Sequence, residues 1–549
     1  MKKLLSVLLA LTMILAAFTA CGGADTPETP ETPSEPAVQT PTEPSAGGDE
    51  VPVDDPTEEG GIKRGGTLVL GKAKNLDAGM NVTKETDCSS GFTFYAAIFE
   101  GLFTVDQDGK PAPFLAESWE FGEDNLSLTV KLREDVSFSN GEKFNAEAAA
   151  KCLNYYIAEE TKHPFKGNDL KLITGTDVVD EYTIRINTSA PDSNLCLGLA
   201  SSSGYMVAPS SIDSGDIGAN PIGTGPFVLE EYVEGQYVTV KANPNYYRMG
   251  EDGKPLPYLD GIKYIIMTDD TTQITNLKSG EIMGLDRLSS SSSTLTAQGM
   301  ENMTTYMGTV TNVYTVSINL GDETMKNEKL RQAIMYAIDG QQIIDIAFEG
   351  FGAPAKFWTD PGKWYYNEYN PYSYDPEKAA ALLAEAGYPD GIELELKVIS
   401  REPDNTVAQL VQAQMAEVGI NIVINAMDTA SWVAAVRTDH DCQLSLSLAG
   451  NAGYEPARMH GAMFSAFGGT DTGIPEVARM KELVDEMKVT IDLDERVALY
   501  DEFQRLIMDT ALTVPMGHKY TYAAFDNSVK NIEFHYYGWL LFDEVWIDQ

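Results

Sequence analysis

The chain has 549 residues, a formal net charge of −43 and 22% charged residues. This length exceeds the ~250–300 residues at which a single core stops growing, so more than one domain is expected. The acidic excess argues against a nucleic-acid partner, because phosphate binding requires clustered Lys and Arg. Composition therefore predicts a soluble protein with an acidic surface.

The N-terminus has the layout of a secretion signal. Two lysines precede residues 4–17, an apolar stretch that is too short to span a membrane comfortably. The small residues that lead into Cys21 resemble the lipobox of bacterial lipoproteins, although Phe18 stands where that motif usually has Leu. The resemblance implies a signal peptide over 1–20, a lipid on Cys21 and attachment to the extracytoplasmic face of the cell membrane.

Residues 21–62 are rich in Pro, Thr, Glu and Ser. Such a composition buries too little apolar surface to offset the entropy lost on ordering, so we expect a disordered tether. The body of the protein is predicted to begin near Lys63.

In the first part of the body, residues 66–70 read as a strand. Apolar residues then alternate over 126–132, which predicts a half-buried strand. A helix is expected from about Ala146, with Asn145 as its N-cap. The serine run from Ser289 to Ser293 is predicted to be a solvent loop.

A strand–helix–strand unit is predicted in the second half of the chain. Residues 392–398 alternate as a strand, and 407–418 have helical spacing that Gly419 ends. The next strand begins at Ile420, so the fold class is α/β with parallel pairing. Further helices are predicted over 330–338, 376–386, 475–487 and 492–510.

We find no catalytic pattern in the sequence. HExxH, GxSxG and Walker-type phosphate loops are absent, and the histidines show no ligand spacing on a shared helix face. The cysteines after Cys21 are scattered, which favours free thiols over a metal site. The sequence thus predicts no enzyme, no metal and no cofactor.

Several segments resemble bacterial solute-binding protein family 5, the extracytoplasmic receptors for peptides, nickel and some oligosaccharides. In the family's order, they are IFEGL at 98–102, LAESWE at 115–120, LREDVSFSNGE at 132–142, IGTGPF at 222–227, NPNYY at 243–247, RQAIMYAID at 331–339 and KAAALLAEAGY at 378–388. One such block is weak evidence, whereas the ordered set is strong.

The resemblance implies a two-lobed α/β fold of the periplasmic-binding-protein type (class II), which encloses its ligand by hinge closure. Lobe 1 would comprise 63–310 plus 515–549, with an extra subdomain inserted at about 91–217. Lobe 2 would comprise 311–514. The implied partners are a peptide or other small solute, and the permease and ATPase subunits of an ABC importer. A monomer is expected.

The implied ligand contacts include the family's cleft loop, which residues 450–456 occupy. There Glu455 is suited to accept donor groups and Arg458 to bind a carboxylate, with Tyr454 beside them; solvated rim positions are the alternative for both charges. Other candidates, for which burial in the core is the alternative, are Trp432, Tyr314 and Asn319. Weaker candidates are Tyr95, Trp358 and Tyr205.

The ligand class stays open between an oligopeptide or dipeptide, an oligosaccharide and a metal complex, and so does a sensor role without transport. Relatives that require a free α-amine carry an aspartate four residues before the cleft-loop proline. If Pro456 is that proline, Ala452 takes the aspartate's place. This predicts weak discrimination between free and blocked peptide N-termini.

Overall fold

The computed structural model describes residues 61–74, 76, 79–84, 91–308, 312–357, 359, 363–450, 464, 466–469, 471–536 and 538–548. All of these belong to one compact unit within 60–549. Several predictions lie outside the described residues: the signal peptide, lipidation of Cys21, and ligand binding by Tyr454, Glu455, Arg458 and Trp358.

The strands in chain order are β1 Thr67–Lys72, β2 Phe103–Val105, β3 Pro111–Pro113, β4 Ala116–Phe121, β5 Ser127–Leu132, β6 Ile173–Asp180, β7 Thr183–Thr188, β8 Phe227–Val233, β9 Tyr237–Ala242, β10 Gly261–Ile266, β11 Gly284–Leu285, β12 Met303–Met307, β13 Asn312–Ile318, β14 Gly352–Pro354, β15 Ile392–Ile399, β16 Ile420–Met427, β17 Leu444–Gly450, β18 Thr513–Lys519, β19 Tyr522–Asp526, β20 Val529–Lys530, β21 Glu533–Phe534, β22 Leu540–Leu541 and β23 Trp546–Ile547.

The helices are α1 Gly91–Tyr95, α2 Ala146–Ile157, α3 Leu195–Leu199, α4 Pro209–Asp213, α5 Asp270–Ser279, α6 Ser291–Gln298, α7 Glu328–Tyr336, α8 Gly340–Ala347, α9 Pro376–Glu385, α10 Asp404–Glu417, α11 Thr429–Trp432, α12 Pro475–Val489 and α13 Leu493–Asp509. None of the described helices is long and apolar enough to cross a bilayer.

Two large sheets form the two lobes. The first is seven-stranded in the order β12-β19-β11-β1-β10-β9-β8, and the second is six-stranded in the order β14-β18-β13-β17-β15-β16. A separate four-stranded sheet, β4-β5-β7-β6, packs with α2 beside the first. This confirms the predicted two-lobed α/β fold, while the detailed domain boundaries stay predictions.

The chain passes between the two sheets twice. It leaves the first after β12 and returns to it between β18 and β19. The two crossings lie side by side, because the backbone N–H of Gly308 donates to the Thr521 carbonyl at 2.8 Å. Two adjacent backbone segments between two rigid sheets are the arrangement of a hinge.

Local signals account for several element boundaries. Asn145 caps α2 by accepting from the Ala148 N–H at 3.0 Å. Gly419 follows α10 at φ +91°, a left-handed conformation that ends the helix as predicted. Strands β15 and β16 then pair in parallel, which confirms the predicted strand–helix–strand unit.

The prediction of a solvent loop from Ser289 to Ser293 is wrong, because helix α6 begins at Ser291. Ser290 is its N-cap and accepts from the Ser293 N–H at 3.1 Å. The hydroxyls of Ser290 and Ser293 both donate to Asp270, so the serines brace α6 against α5. The run has no apolar periodicity that would predict a helix, and both the N-cap and the contacts with Asp270 stabilise the helix there.

Candidate functional site

A cavity of about 1040 Å³ lies beside the two crossings. Lobe 1 contributes residues from the segment around β2 and β3, from the Tyr246–Tyr247 turn and from the C-terminal stretch 533–543. The lobe built on the six-stranded sheet contributes β14, Lys363 and His518 of β18, a strand that the predicted boundary at 515 divides between the lobes. A concave site bounded by both lobes next to a hinge is the expected place for a small ligand.

Two glycines position one wall of this cavity. The Gly225 N–H donates to the Ile98 carbonyl at 2.9 Å, so the GTGP turn lies directly against the segment that precedes Glu100. A Cβ at Gly223 would lie 2.1 Å from the same carbonyl oxygen. Only a residue without a side chain permits this approach.

Glu100 lies at the centre of a buried hydrogen-bond network in that wall. It is 3% exposed. Thr224 Oγ1 donates to its carboxyl group at 2.8 Å, Tyr246 OH at 2.9 Å and Tyr247 OH at 3.5 Å. Burial raises the pKa of Glu100 to about 8, so the carboxyl group is mostly protonated and neutral at pH 7.

The arginines that line the cavity are paired within the protein. Arg133 binds Asp135 at 2.6 Å and places its guanidinium 4.8 Å from the centroid of the Tyr247 ring. Arg248 binds Asp543. In each pair the carboxylate neutralises the charge of its arginine, and the Arg248–Asp543 pair links two segments of the cavity wall.

The C-terminal stretch supplies a stacked aromatic pair. His535 and Trp539 lie 4.0 Å apart at an interplanar angle of 12°. Burial lowers the pKa of His535 to about 3, so its imidazole is neutral at pH 7. The Lys363 ammonium lies 3.6 Å from the centroid of the Tyr536 ring, a cation–π contact that joins the two lobes at the cavity.

A second contact between the lobes lies at Ser193 of the four-stranded-sheet subdomain. Its N–H donates to the Lys488 carbonyl at 2.9 Å, and its own carbonyl accepts from Arg496 Nη1 at 3.1 Å. Arg496 is 3% exposed and lies 5.5 Å from the Trp364 ring centroid. The lobes therefore touch directly, as they do when a hinged receptor is closed.

The three described ligand candidates do not line the cavity. Tyr314 packs on Phe348 with ring centroids 4.8 Å apart. Asn319 is 1% exposed and donates to the His440 and Cys442 carbonyls, which braces a loop. Trp432 Nε1 donates to the Lys397 carbonyl at 3.4 Å. Ligand contact by any of the three remains a prediction.

The two weaker candidates in the described part of the chain, Tyr205 and Tyr95, differ in their position relative to the cavity. Tyr205 lines the cavity, whereas Tyr95 donates its hydroxyl proton to the Gly79 carbonyl at 2.8 Å. Sequence reasoning missed Glu100, Lys363, His518 and the C-terminal residues 533–536 and 539–543 as cavity residues. Among the described residues no group of three or more His, Cys, Asp or Glu side chains is arranged to hold a metal ion.

Comparison with known proteins identifies relatives over most of the chain. The glutathione-binding protein GsiB of Salmonella typhi is 34% identical over 343 residues, which are 62% of this chain and 66% of that protein. The match thus spans slightly less than two-thirds of that relative.

Solved structures share the fold. NikA from Brucella suis, in complex with Fe(III)-EDTA, matches with a TM-score of 0.77 and 25% identity over 88% of this chain and 100% of its own. A dipeptide-binding protein from Pseudoalteromonas sp. SM9913, in complex with Met-Leu, matches with a TM-score of 0.67 and 21% identity over the same shares.

The family model for the bacterial extracellular solute-binding proteins, family 5 (middle), matches residues 110–471. That range contains the four-stranded sheet, both strands of the first crossing and most of lobe 2. The chain therefore belongs to family 5 of the bacterial extracellular solute-binding proteins.

Proposed function

We propose that this protein is the lipid-anchored receptor of an ABC importer and captures an oligopeptide or dipeptide-like solute by lobe closure. The observation that carries the proposal is the cavity bounded by both lobes beside the paired crossings. Peptide-like ligands are favoured by two relatives, one named for glutathione and one solved with a dipeptide. The receptor then delivers its solute to permease and ATPase subunits.

Binding occurs without turnover. The two arginines that line the cavity wall, Arg133 and Arg248, are engaged in ion pairs, and such pairs serve packing rather than acid–base chemistry. Clean protein should therefore leave a bound peptide intact. Steady hydrolysis that a single point mutation abolishes would make this protein an enzyme instead.

A ligand should stabilise and compact the protein. Because the solute binds only the folded state, a concentration 100 times Kd is expected to add about 2.7 kcal/mol to the free energy of unfolding. Calorimetry should show a higher Tm and small-angle scattering a smaller radius of gyration. A solute that raises the Tm without compaction would contradict capture by closure.

The natural solute is identified most directly by mass spectrometry of what the purified protein releases on denaturation. A peptide supports the proposal. A sugar or a metal complex would keep the receptor role but change the class of cargo. Release of nothing, combined with no thermal response to peptides, would contradict peptide capture.

Anchoring is tested separately. Cys21→Ala should abolish incorporation of labelled palmitate and move the protein from the membrane to the soluble fraction, because a single thiol carries the proposed lipid anchor. Cys152→Ala is the matched control, since that thiol is buried in the subdomain and should not affect attachment. Unchanged membrane association of the Cys21 variant would refute the anchor.

A further inference from the structure

Besides the paired arginines, the described cavity lining contains several apolar side chains that are partly exposed. Its partly exposed apolar side chains from lobe 1 and from the crossings include Phe114, Tyr247, Met307, Tyr520, Phe534 and Leu541. Four of the six are aromatic. Such rings supply large contact area at a low cost in side-chain entropy.

Several polar groups around these rings are engaged with other groups of the protein. The Tyr247 hydroxyl points to Glu100, and the guanidinium of Arg133 is held by Asp135. Arg248 is held by Asp543, which is 6% exposed. Because Asp543 is buried, separating it from Arg248 is costly, so this pair does not turn towards a ligand readily.

The rings are also held in place. Phe534 belongs to β21, where it pairs with Leu540 of β22. A Cβ at Gly308 would lie 3.9 Å from the Phe534 ring, so this ring lies against the first crossing. The Tyr520 N–H donates to the Phe351 carbonyl at 3.1 Å, which fixes the backbone of the second crossing.

We infer that the cavity selects its solute through an uncharged apolar or aromatic group of that solute, packed against Tyr247, Tyr520 and Phe534, rather than through an ion pair. This inference rests on the proposed function and names the class of solute for the same site. Because Tyr520 lies on a crossing, an apolar group in contact with it bears directly on the segment that bends during closure.

The test is calorimetric titration of the full-length protein with the tripeptides Ala-X-Ala, where X is Gly, Glu, Lys, Leu or Trp. Burying a large apolar side chain should make the Leu and Trp peptides about thirtyfold tighter binders than the Gly peptide. The Glu and Lys peptides should bind no tighter than the Gly peptide. Equal affinity across the series, or tightest binding of a charged peptide, overturns the inference.

Variants locate the effect. Tyr520→Ala should weaken the Trp peptide about tenfold and leave the Gly peptide nearly unchanged, while Tyr520→Phe keeps the ring and should retain wild-type affinity. Tyr374→Ala is the matched control, because Tyr374 is 43% exposed and lies outside the cavity lining. A loss in Tyr374→Ala equal to that in Tyr520→Ala overturns the assignment.

The series also separates this inference from the proposed function. If none of the peptides binds, peptide capture fails, and the solute released from the purified protein decides the inference. A released solute with an aromatic or apolar group supports it. A wholly polar or charged solute overturns it.

Discussion

Gly223→Ala is expected to destabilise lobe 1 by about 3 kcal/mol, the upper range for overpacking. The new methyl group would lie 2.1 Å from the Ile98 carbonyl oxygen and 2.7 Å from the Phe99 ring. The Ile98 carbonyl cannot move away freely, because it accepts a hydrogen bond from the Gly225 N–H at 2.9 Å. Chemical denaturation followed by tyrosine and tryptophan fluorescence measures the loss.

Gly299→Ala is the matched control for this clash. A Cβ there would meet its nearest atoms at 3.5 and 3.6 Å, which is ordinary contact, and its φ of −82° suits alanine. Alanine should be neutral or stabilise by a few tenths of a kcal/mol, since it restricts the unfolded chain. Equal destabilisation by both variants would show that the GTGP approach has no special role.

Glu100→Gln is expected to remove a large part of the pH dependence of stability. In the wild type the unfolded chain releases the Glu100 proton near its ordinary pKa of 4.5, whereas the native state holds it to about pH 8. Between these values the native state binds more protons, so stability falls as pH rises, by at most about 1.4 kcal/mol per unit from this group. Glutamine has no proton to lose and cannot contribute this slope.

The measurement is the free energy of unfolding of both proteins from pH 5 to pH 8. The difference between the two free energies cancels the contributions of the other titrating groups. The free energy of unfolding of the variant should increase steadily relative to that of the wild type as pH rises. Glu117→Gln is the control, because that carboxylate also lines the cavity but its side chain is 55% exposed and paired with Lys131. Parallel curves for wild type and Glu100→Gln would contradict a neutral Glu100.

Local patterns predicted most regular elements because their physical causes are local. The alternation over 126–132 and the cap at Asn145 depend on neighbours in sequence, and the structure has β5 and α2 there. The prediction of a loop at the serine run was wrong in part because the partner of these serines, Asp270, lies on another helix. Side-chain partners that are distant in sequence leave no periodic signal.

The same reason explains why the cavity was only partly foreseen. The motif blocks that identified the family include Glu100, Thr224 and Tyr246, yet nothing in the sequence shows that they converge on one carboxyl group across more than 120 residues. Strands β21 and β22 have two residues each, too few for any pattern. The aromatic spacing of 534–542 is the signal that would have drawn attention to this stretch.

The order of strands constrains how this chain acquires its structure during synthesis. Strand β18 lies between β14 and β13, and β19 lies between β12 and β11, so residues 513–526 complete both large sheets. These residues follow all the other strands of both sheets in the sequence, so a ribosome makes them after those strands. Neither large sheet is complete until these residues have been made, so both lobes stay incompletely folded up to that point. The two lobes are therefore expected to complete their folding together rather than one after the other.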